Sequence, residues 1–282
     1  MSHLLSIVAI VLSVSGGEYA KESASTVALV NKGSQRTLCT GVIIAPRVVL
    51  TAAHCLYQNA YVDYSKPSEW IIVEKTLDTF EVLDPEKIFE IQFWKVHPNY
   101  PSKGIGIEGS GELDDIGIIV TKKEMKSDPV PIIDRIPVGS KLSFHGYGKT
   151  SFHTQRFLKV GKTTFDFSFR KEIRFGREKK TSVTPGDSGG PLYYTDPEGQ
   201  VWLFGIVTSY FEKGCGTGGV ASYASKYDPW ISKASNGLYV SCYEEGGGCS
   251  TTNQGCEIGI FLLLGLVYLK RGKIKKEKSC ES

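Results

Sequence analysis

The sequence predicts an all-β fold, a sandwich or a pair of barrels, over most of its 282 residues. Three observations lead there. Between about Val27 and Ile231 the chain is a series of short apolar runs broken by Gly, Pro, Asn and Asp, the spacing of strands and turns. The segment TTFDFSFRKEIRF (163–175) alternates with period two, as a half-exposed hairpin does. Only YDPWISKAS (227–235) reads as a convincing helix, and it closes the β-rich region.

In chain order the strand-like runs are GVIIA, RVVLTA, EWIIVE, IGIIV, KLSFHGYG, TTFDFSF, PLYY and VWLFGIV. No internal repeat organises them. The basic residues of the hairpin read as a solvated face rather than a binding patch. Charged residues make up 22% and hydrophobic residues 41%, which excludes a disordered chain and supplies enough apolar surface for a real core. The net charge of +3 is a tail effect. Residues 270–282 carry six Lys/Arg and two Glu, so everything before them is close to neutral. No distributed basic surface for nucleic acid exists.

Before the β-rich region, MSHLLSIVAIVLSVSGG has an apolar run from Leu4 to Val14, bounded by small residues. Its length suits a secretory leader, 1–13, and is too short to cross a bilayer. A buried first strand is the competing reading. Seven cysteines at irregular spacing fit an exported, disulfide-permissive protein. With no CxxC pair and no His-rich cluster, neither zinc nor another metal or cofactor is expected. The odd count leaves one thiol free or paired between molecules.

After the closing helix the composition shifts. Residues 239–257 are rich in Gly, Ser and Cys and read as a linker. IGIFLLLGLVYL (258–269) follows, then the basic tail 270–282. As a helix this apolar stretch would measure about 18 Å, short of a hydrocarbon core of about 30 Å. Spacer, short apolar stretch and basic end resemble the C-terminal sorting segments of many bacterial surface proteins. That implies attachment to a membrane or cell surface. A plain single-span anchor and an amphipathic core helix are the alternatives, and the last lacks a polar face.

Three phrases carry chemistry: TAAHC (51–55), DDIGII (114–119) and PGDSGGP (185–191), in the order His, Asp, Ser. Together they resemble the trypsin/chymotrypsin family of serine peptidases, over about Val14 to Ser235. LCTGVII before TAAHC, HPNY (97–100), HGYG (145–148) and DPWI support the resemblance. It implies two six-stranded antiparallel Greek-key β-barrels with the site in the cleft between them, a short C-terminal helix, and a peptidase domain over 14–238. It further implies Ser188 as nucleophile, His54 as the base that takes and returns its proton, and Asp115 as the group that orients the imidazole. Asp114 is adjacent, but IGII aligns with the family phrase only when Asp115 is the triad member. The amides of Gly186 and Ser188 would form the oxyanion hole, each donor contributing about 3 kcal/mol. Cys39 and Cys55 would be bridged, a loop closure that contributes about 3 kcal/mol in the chain-entropy picture. His97, His145 and His153 lie outside any motif and read as structural.

The same resemblance makes Asp187 the partner of a free α-amino group, here that of Val14 at the start of VSGGEYA (14–20). Ser182, six residues before the nucleophile, would floor the primary pocket. A hydroxyl there, with Tyr210 or Phe211 narrowing the mouth, favours substrates with uncharged small or medium side chains. The strand pattern leaves open whether Thr208 or Ser209 faces Asp115. Two features depart from the family pattern. Thr184 stands where members often have a cysteine, which leaves Cys215 free or bonded to one such as Cys242. His54 to Asp115 is long and Asp115 to Ser188 short. The expected partners are protein or peptide substrates. The expected activity is endopeptidase action through an acyl-enzyme, and the rival is a binding protein that keeps the fold without catalysis.

Overall fold

A computed structural model of the chain describes residues 17–20, 23, 25–34, 36–57, 66–74, 85–101, 114–148, 158–177, 181–210 and 218–241. The leader 1–13, Val14 and the segment 258–269 with its basic tail lie outside them. The chain divides into two units after Tyr239, and the first holds nearly every described residue. Tyr239, which composition places at the start of the linker, is buried, and its hydroxyl bonds to Asp228.

The strands are β1 (Glu18–Tyr19), β2 (Thr26–Asn31), β3 (Thr37–Ala45), β4 (Val48–Thr51), β5 (Trp70–Glu74), β6 (Ile88–Val96) and β7 (Gly117–Thr121). They continue as β8 (Lys141–Gly146), β9 (Lys159–Phe169), β10 (Glu172–Phe175), β11 (Pro191–Thr195), β12 (Val201–Tyr210) and β13 (Gly219–Tyr223), and α1 (Asp228–Ala234) follows. The first barrel closes in the order β2-β3-β4-β7-β6-β5. A second ring runs β8-β9-β10-β13-β12-β11 and returns to β8, with β1 added beside the start of β9. Every pairing is antiparallel. The fold is therefore the two six-stranded barrels and short C-terminal helix that the motifs imply.

Burial explains which runs were legible. β4, β5 and β7 are buried on both faces, so they read as unbroken apolar text. β9 alternates buried and open positions from Lys159 to Asp166, and its last three residues before the turn at Arg170–Lys171 are exposed. β6 escaped the reading because charged and aromatic residues interrupt its pattern along IFEIQFWKV. Each barrel has its own interior: Leu29, Ile43, Trp70, Ile72 and Phe89 in the first, Phe144, Phe165, Phe175 and Phe204 in the second. A third cluster unites Leu50 and Ile118 of one barrel, Leu203 and Ile206 of the other, and Ile231 of α1. Burying this shared layer is what holds the two barrels face to face.

Candidate active site

His54 sits in a 3₁₀ turn, Ala53–Cys55, that follows β4, and Asp115 lies two residues before β7. The two strands are neighbours, with Thr51 opposite Gly117, so one barrel delivers both side chains. Gly117 admits this approach, since a Cβ there would lie 2.7 Å from Leu56 Cδ1. His54 Nδ1 is 2.7 Å from Asp115 Oδ2, and the His54 backbone N–H donates to Oδ1 at 2.9 Å. Both carboxylate oxygens are thus spent on one residue, which turns Nε2 away from the acid. The side chain of Asp115 is 5% exposed and that of His54 34%, so the acid is dry while the base is reachable.

Asp114 points elsewhere. Its φ of +47° places it in the left-handed region, an uncommon conformation for a residue with a Cβ. Lys171 Nζ lies 2.7 Å from its Oδ1, and His97 Nδ1 lies 3.9 Å away. His97 is itself buried between the rings of Tyr227 and Trp230. Burial holds it below the ordinary imidazole range, Asp114 opposes that shift, and Lys171 adds to it. His145 is a second buried imidazole, bonded to Ser23 and Ser143 hydroxyls and edge-on to Tyr193. Burial pushes it down to about 4, so it is neutral in the fold at ordinary pH. His153 lies outside the described residues.

The nucleophile turn belongs to the second barrel but is stitched to the first. The Thr40 N–H donates to the Ser188 carbonyl at 2.8 Å, and the Thr40 hydroxyl donates to the Gly186 carbonyl at 2.8 Å. The disulfide between Cys39 and Cys55 ties this same β3 segment to the turn that carries His54. Gly186 (φ +104°) and Gly189 (φ +81°) need glycine for conformation. Gly189 needs it for space too, because a Cβ would come 2.1 Å from Thr51 Oγ1. Cys55, next to His54, has its Sγ 3.7 Å from the Ser188 carbonyl, so the segment that carries Ser188 lies against the turn that carries His54. Asp187, Gly189 and Gly190 each spend their N–H on a backbone carbonyl. The amides of Gly186 and Ser188 have no acceptor among the described residues.

Asp187 is fully buried. Its Oδ1 accepts the Gly148 N–H at 2.9 Å; its Oδ2 accepts the Thr184 N–H at 2.8 Å and the Thr184 hydroxyl at 2.9 Å. Burial pushes its pKa up, opposed by the Thr184 and Gly148 hydrogen bonds and by the charge of Lys159. Val14 lies outside the described residues, so its pairing with Asp187 does too. Thr184, noticed in the sequence only for not being a cysteine, is therefore a ligand of the carboxylate that shapes the turn. Thr40 and Ser222 carried no signal at all. Ser222 donates to the Asp115 carbonyl at 2.8 Å, whereas the Thr208 hydroxyl is spent on Val220.

Ser182 is buried and bridges Gly218 beside Val183. Its hydroxyl donates to the Val183 carbonyl at 3.4 Å, and these described neighbours, Val183 and Gly218, carry no charge. The side chain of Tyr210, Phe211 and Cys215 lie outside the described residues. Cys39, His54 and Cys55 bring possible metal-ligand atoms within 4.8 Å of one another. The two sulfurs are bonded to each other, however, and only a thiolate ligates.

Comparison with known proteins agrees with this geometry. The family model described as Trypsin matches residues 13–231. The chain is similar to phenoloxidase-activating enzyme 1 of Spodoptera litura, 27% identical over 71% of this chain and 59% of that one. Phenoloxidase-activating factor 3 of Holotrichia diomphalia is 27% identical over 71% of this chain and 64% of its own. Chymase of Rattus norvegicus is 26% identical over 73% of this chain and 82% of its own. The chain thus spans about three fifths of the two insect proteins.

Proposed function

The chain belongs to the trypsin family, and from that premise we propose that it is a serine endopeptidase acting through an acyl-enzyme on Ser188. The observation that carries this reading is the double hold of Asp115 on His54, through Nδ1 and through the backbone N–H. That hold keeps the proton on Nδ1 and offers Nε2 as the base. His54 takes the Ser188 proton as Oγ attacks the substrate carbonyl, and Asp115 stabilises the imidazolium that forms. The amides of Gly186 and Ser188 receive the oxyanion. His54 then returns the proton to the leaving amine, and water repeats the cycle on the ester. The uncharged described neighbours of Ser182 favour uncharged side chains of small or medium size on the acyl side of the cut, since a buried Lys or Arg would meet no counter-charge among them.

The bridge between Cys39 and Cys55 supports export into an oxidising compartment. No helix among the described residues is long and apolar enough to cross a membrane, and attachment through 258–269 rests on the sequence alone. The relatives named above are animal proteins and lend no support to a bacterial sorting segment.

Labelling with a fluorescent organophosphonate tests the activity. The intact chain is expected to label and the Ser188→Ala variant to stay dark. Absence of labelling in the intact chain, with the Cys39–Cys55 bridge verified, would favour the non-catalytic binding protein. A peptide library cut mainly after Arg or Lys would overturn the pocket reading.

A further inference from the structure

Gly186 and Ser188, whose amides receive the oxyanion in the mechanism above, sit in a turn with little stiffness of its own. Gly186, at φ +104°, has no Cβ to limit rotation of the peptide planes beside it. The direction of the two N–H groups must therefore be set by hydrogen bonds to the neighbouring planes. The plane between Gly186 and Asp187 gives its N–H to the Thr184 carbonyl at 3.0 Å, and its carbonyl accepts the Thr40 hydroxyl at 2.8 Å. The carbonyl of the next plane, between Asp187 and Ser188, accepts the Gly190 N–H at 2.9 Å. The plane between Ser188 and Gly189 gives its N–H to the Val207 carbonyl at 2.7 Å, and its carbonyl accepts the Thr40 N–H at 2.8 Å. Of these bonds, the one from Thr40 Oγ1 is made by a side chain.

A hydroxyl has one proton to give and two lone pairs to offer. Thr40 Oγ1 accepts the Tyr147 N–H at 3.0 Å, so its own proton goes to Gly186. The segment that carries Tyr147 backs the same turn: a Cβ on Gly186 would lie 3.0 Å from Gly148 Cα and 3.2 Å from the Tyr147 carbonyl oxygen. One oxygen thus joins the turn to the backbone it rests on. Thr40 is fixed in its own place. It is fully buried, its carbonyl accepts the Thr51 hydroxyl at 2.8 Å, and Cys39 before it is bridged to Cys55.

We propose that the Thr40 hydroxyl, a group of the first barrel, positions the oxyanion hole of the second. This rests on the peptidase reading above and adds to it a residue that acts through the Gly186 peptide group rather than on substrate. Without the hydroxyl, the Gly186–Asp187 plane is held only at its N–H end, and the Tyr147 N–H loses its acceptor. The oxyanion exists only once the substrate carbonyl has been attacked. Misaimed donors therefore slow the chemical step and leave substrate binding alone.

The experiment uses the full-length chain from an oxidising host, with active sites counted by the organophosphonate. Two quantities are measured: turnover of a peptide amide, and affinity for a peptide trifluoromethyl ketone. Ser188 Oγ adds to the ketone carbonyl carbon, the serine proton passes to His54, and the former carbonyl oxygen becomes an oxyanion in the hole. Thr40→Val is expected to lower kcat about tenfold with KM little changed, and to weaken ketone binding by the same factor. That is less than the loss of about 10²–10³-fold for outright removal of a donor. Thr40→Ser keeps the hydroxyl and should hold both quantities near those of the intact chain. A residue that merely stabilised the fold would lower the urea midpoint and leave kcat per titrated site and ketone affinity unchanged. Thr40→Ala removes the same hydroxyl without added bulk and replaces Thr40→Val if that variant does not fold. Failure of both to fold would make Thr40 a folding residue and overturn the positioning role. A folded variant with kcat within about twofold of the intact chain, or a lowered kcat with unchanged ketone affinity, overturns it too, with the peptidase reading intact. If the intact chain neither cleaves the amide nor binds the ketone, the peptidase reading fails and this proposal falls with it.

Discussion

Asp115 in the first barrel and Asp187 in the second are both buried carboxylates at the cleft, and they are held in different ways. Asp115 places both oxygens on His54, the ring that in the proposed mechanism gains and loses a proton. Asp187 is held by groups that keep their protons, the amides of Gly148 and Thr184 and the Thr184 hydroxyl. A carboxylate that answers a transient charge needs a titratable partner. One that shapes a backbone turn needs permanent donors. The two histidines show the same contrast: His54 has an acid and is partly open, whereas His145 has only hydroxyls and is buried.

Breaking the first arrangement should have the largest effect. Asp115→Asn removes the acceptor that sets the His54 tautomer while keeping shape, and kcat is expected to fall about 10³–10⁴-fold. Steady-state kinetics with circular dichroism checks this, and a loss below tenfold with the fold intact would erase the contrast between the two aspartates.

The next effect is on stability. His145 has a folded pKa of about 4 against 6.5 for a free imidazole, so the unfolded chain takes the proton first. Its contribution is present above pH 6.5 and is lost as pH falls toward 4, an effect of about 3 kcal/mol. Urea unfolding across that range should show a flatter profile for His145→Gln. An unchanged slope would mean that His145 is solvated.

Thr184→Val tests the second arrangement more gently, since it removes one hydroxyl donor and keeps the backbone N–H. Stability is expected to drop by about 2 kcal/mol, with a lower kcat and an unchanged KM. No change in urea unfolding would mean that the hydroxyl contributes nothing to holding Asp187.

Smallest of all is Lys171→Met. Its ammonium is partly exposed, so loss of the Asp114 pair should cost within about 1 kcal/mol. A large drop in kcat would show that Asp114 positions its neighbour Asp115.

Much of this was legible in the text of the chain. PGDSGGP, TAAHC and DDIGII announce their chemistry because the nucleophile turn admits only glycine at Gly186 and Gly189, and His54 and Asp115 must follow particular strands. β4, β5 and β7 were legible because burial on both faces writes them in unbroken apolar letters. β6 was not, since its outward residues are mixed.

The sequence by itself pointed to the two-barrel fold, to His54, Asp115 and Ser188 as the proposed triad, and to a charge at Asp187 that requires a partner. Which groups answer that charge was decided only by the tertiary structure. Thr184 is three residues away along the chain, but Gly148 is far from Asp187 in sequence. It arrives because Gly146 and Gly148, at the end of β8, leave the space that the carboxylate fills. The same holds for Thr40 and Ser222, ordinary hydroxyls in ordinary strands. Hydrogen bonds between strands of different barrels depend on how the shared apolar layer sets their distance, and no local pattern encodes that.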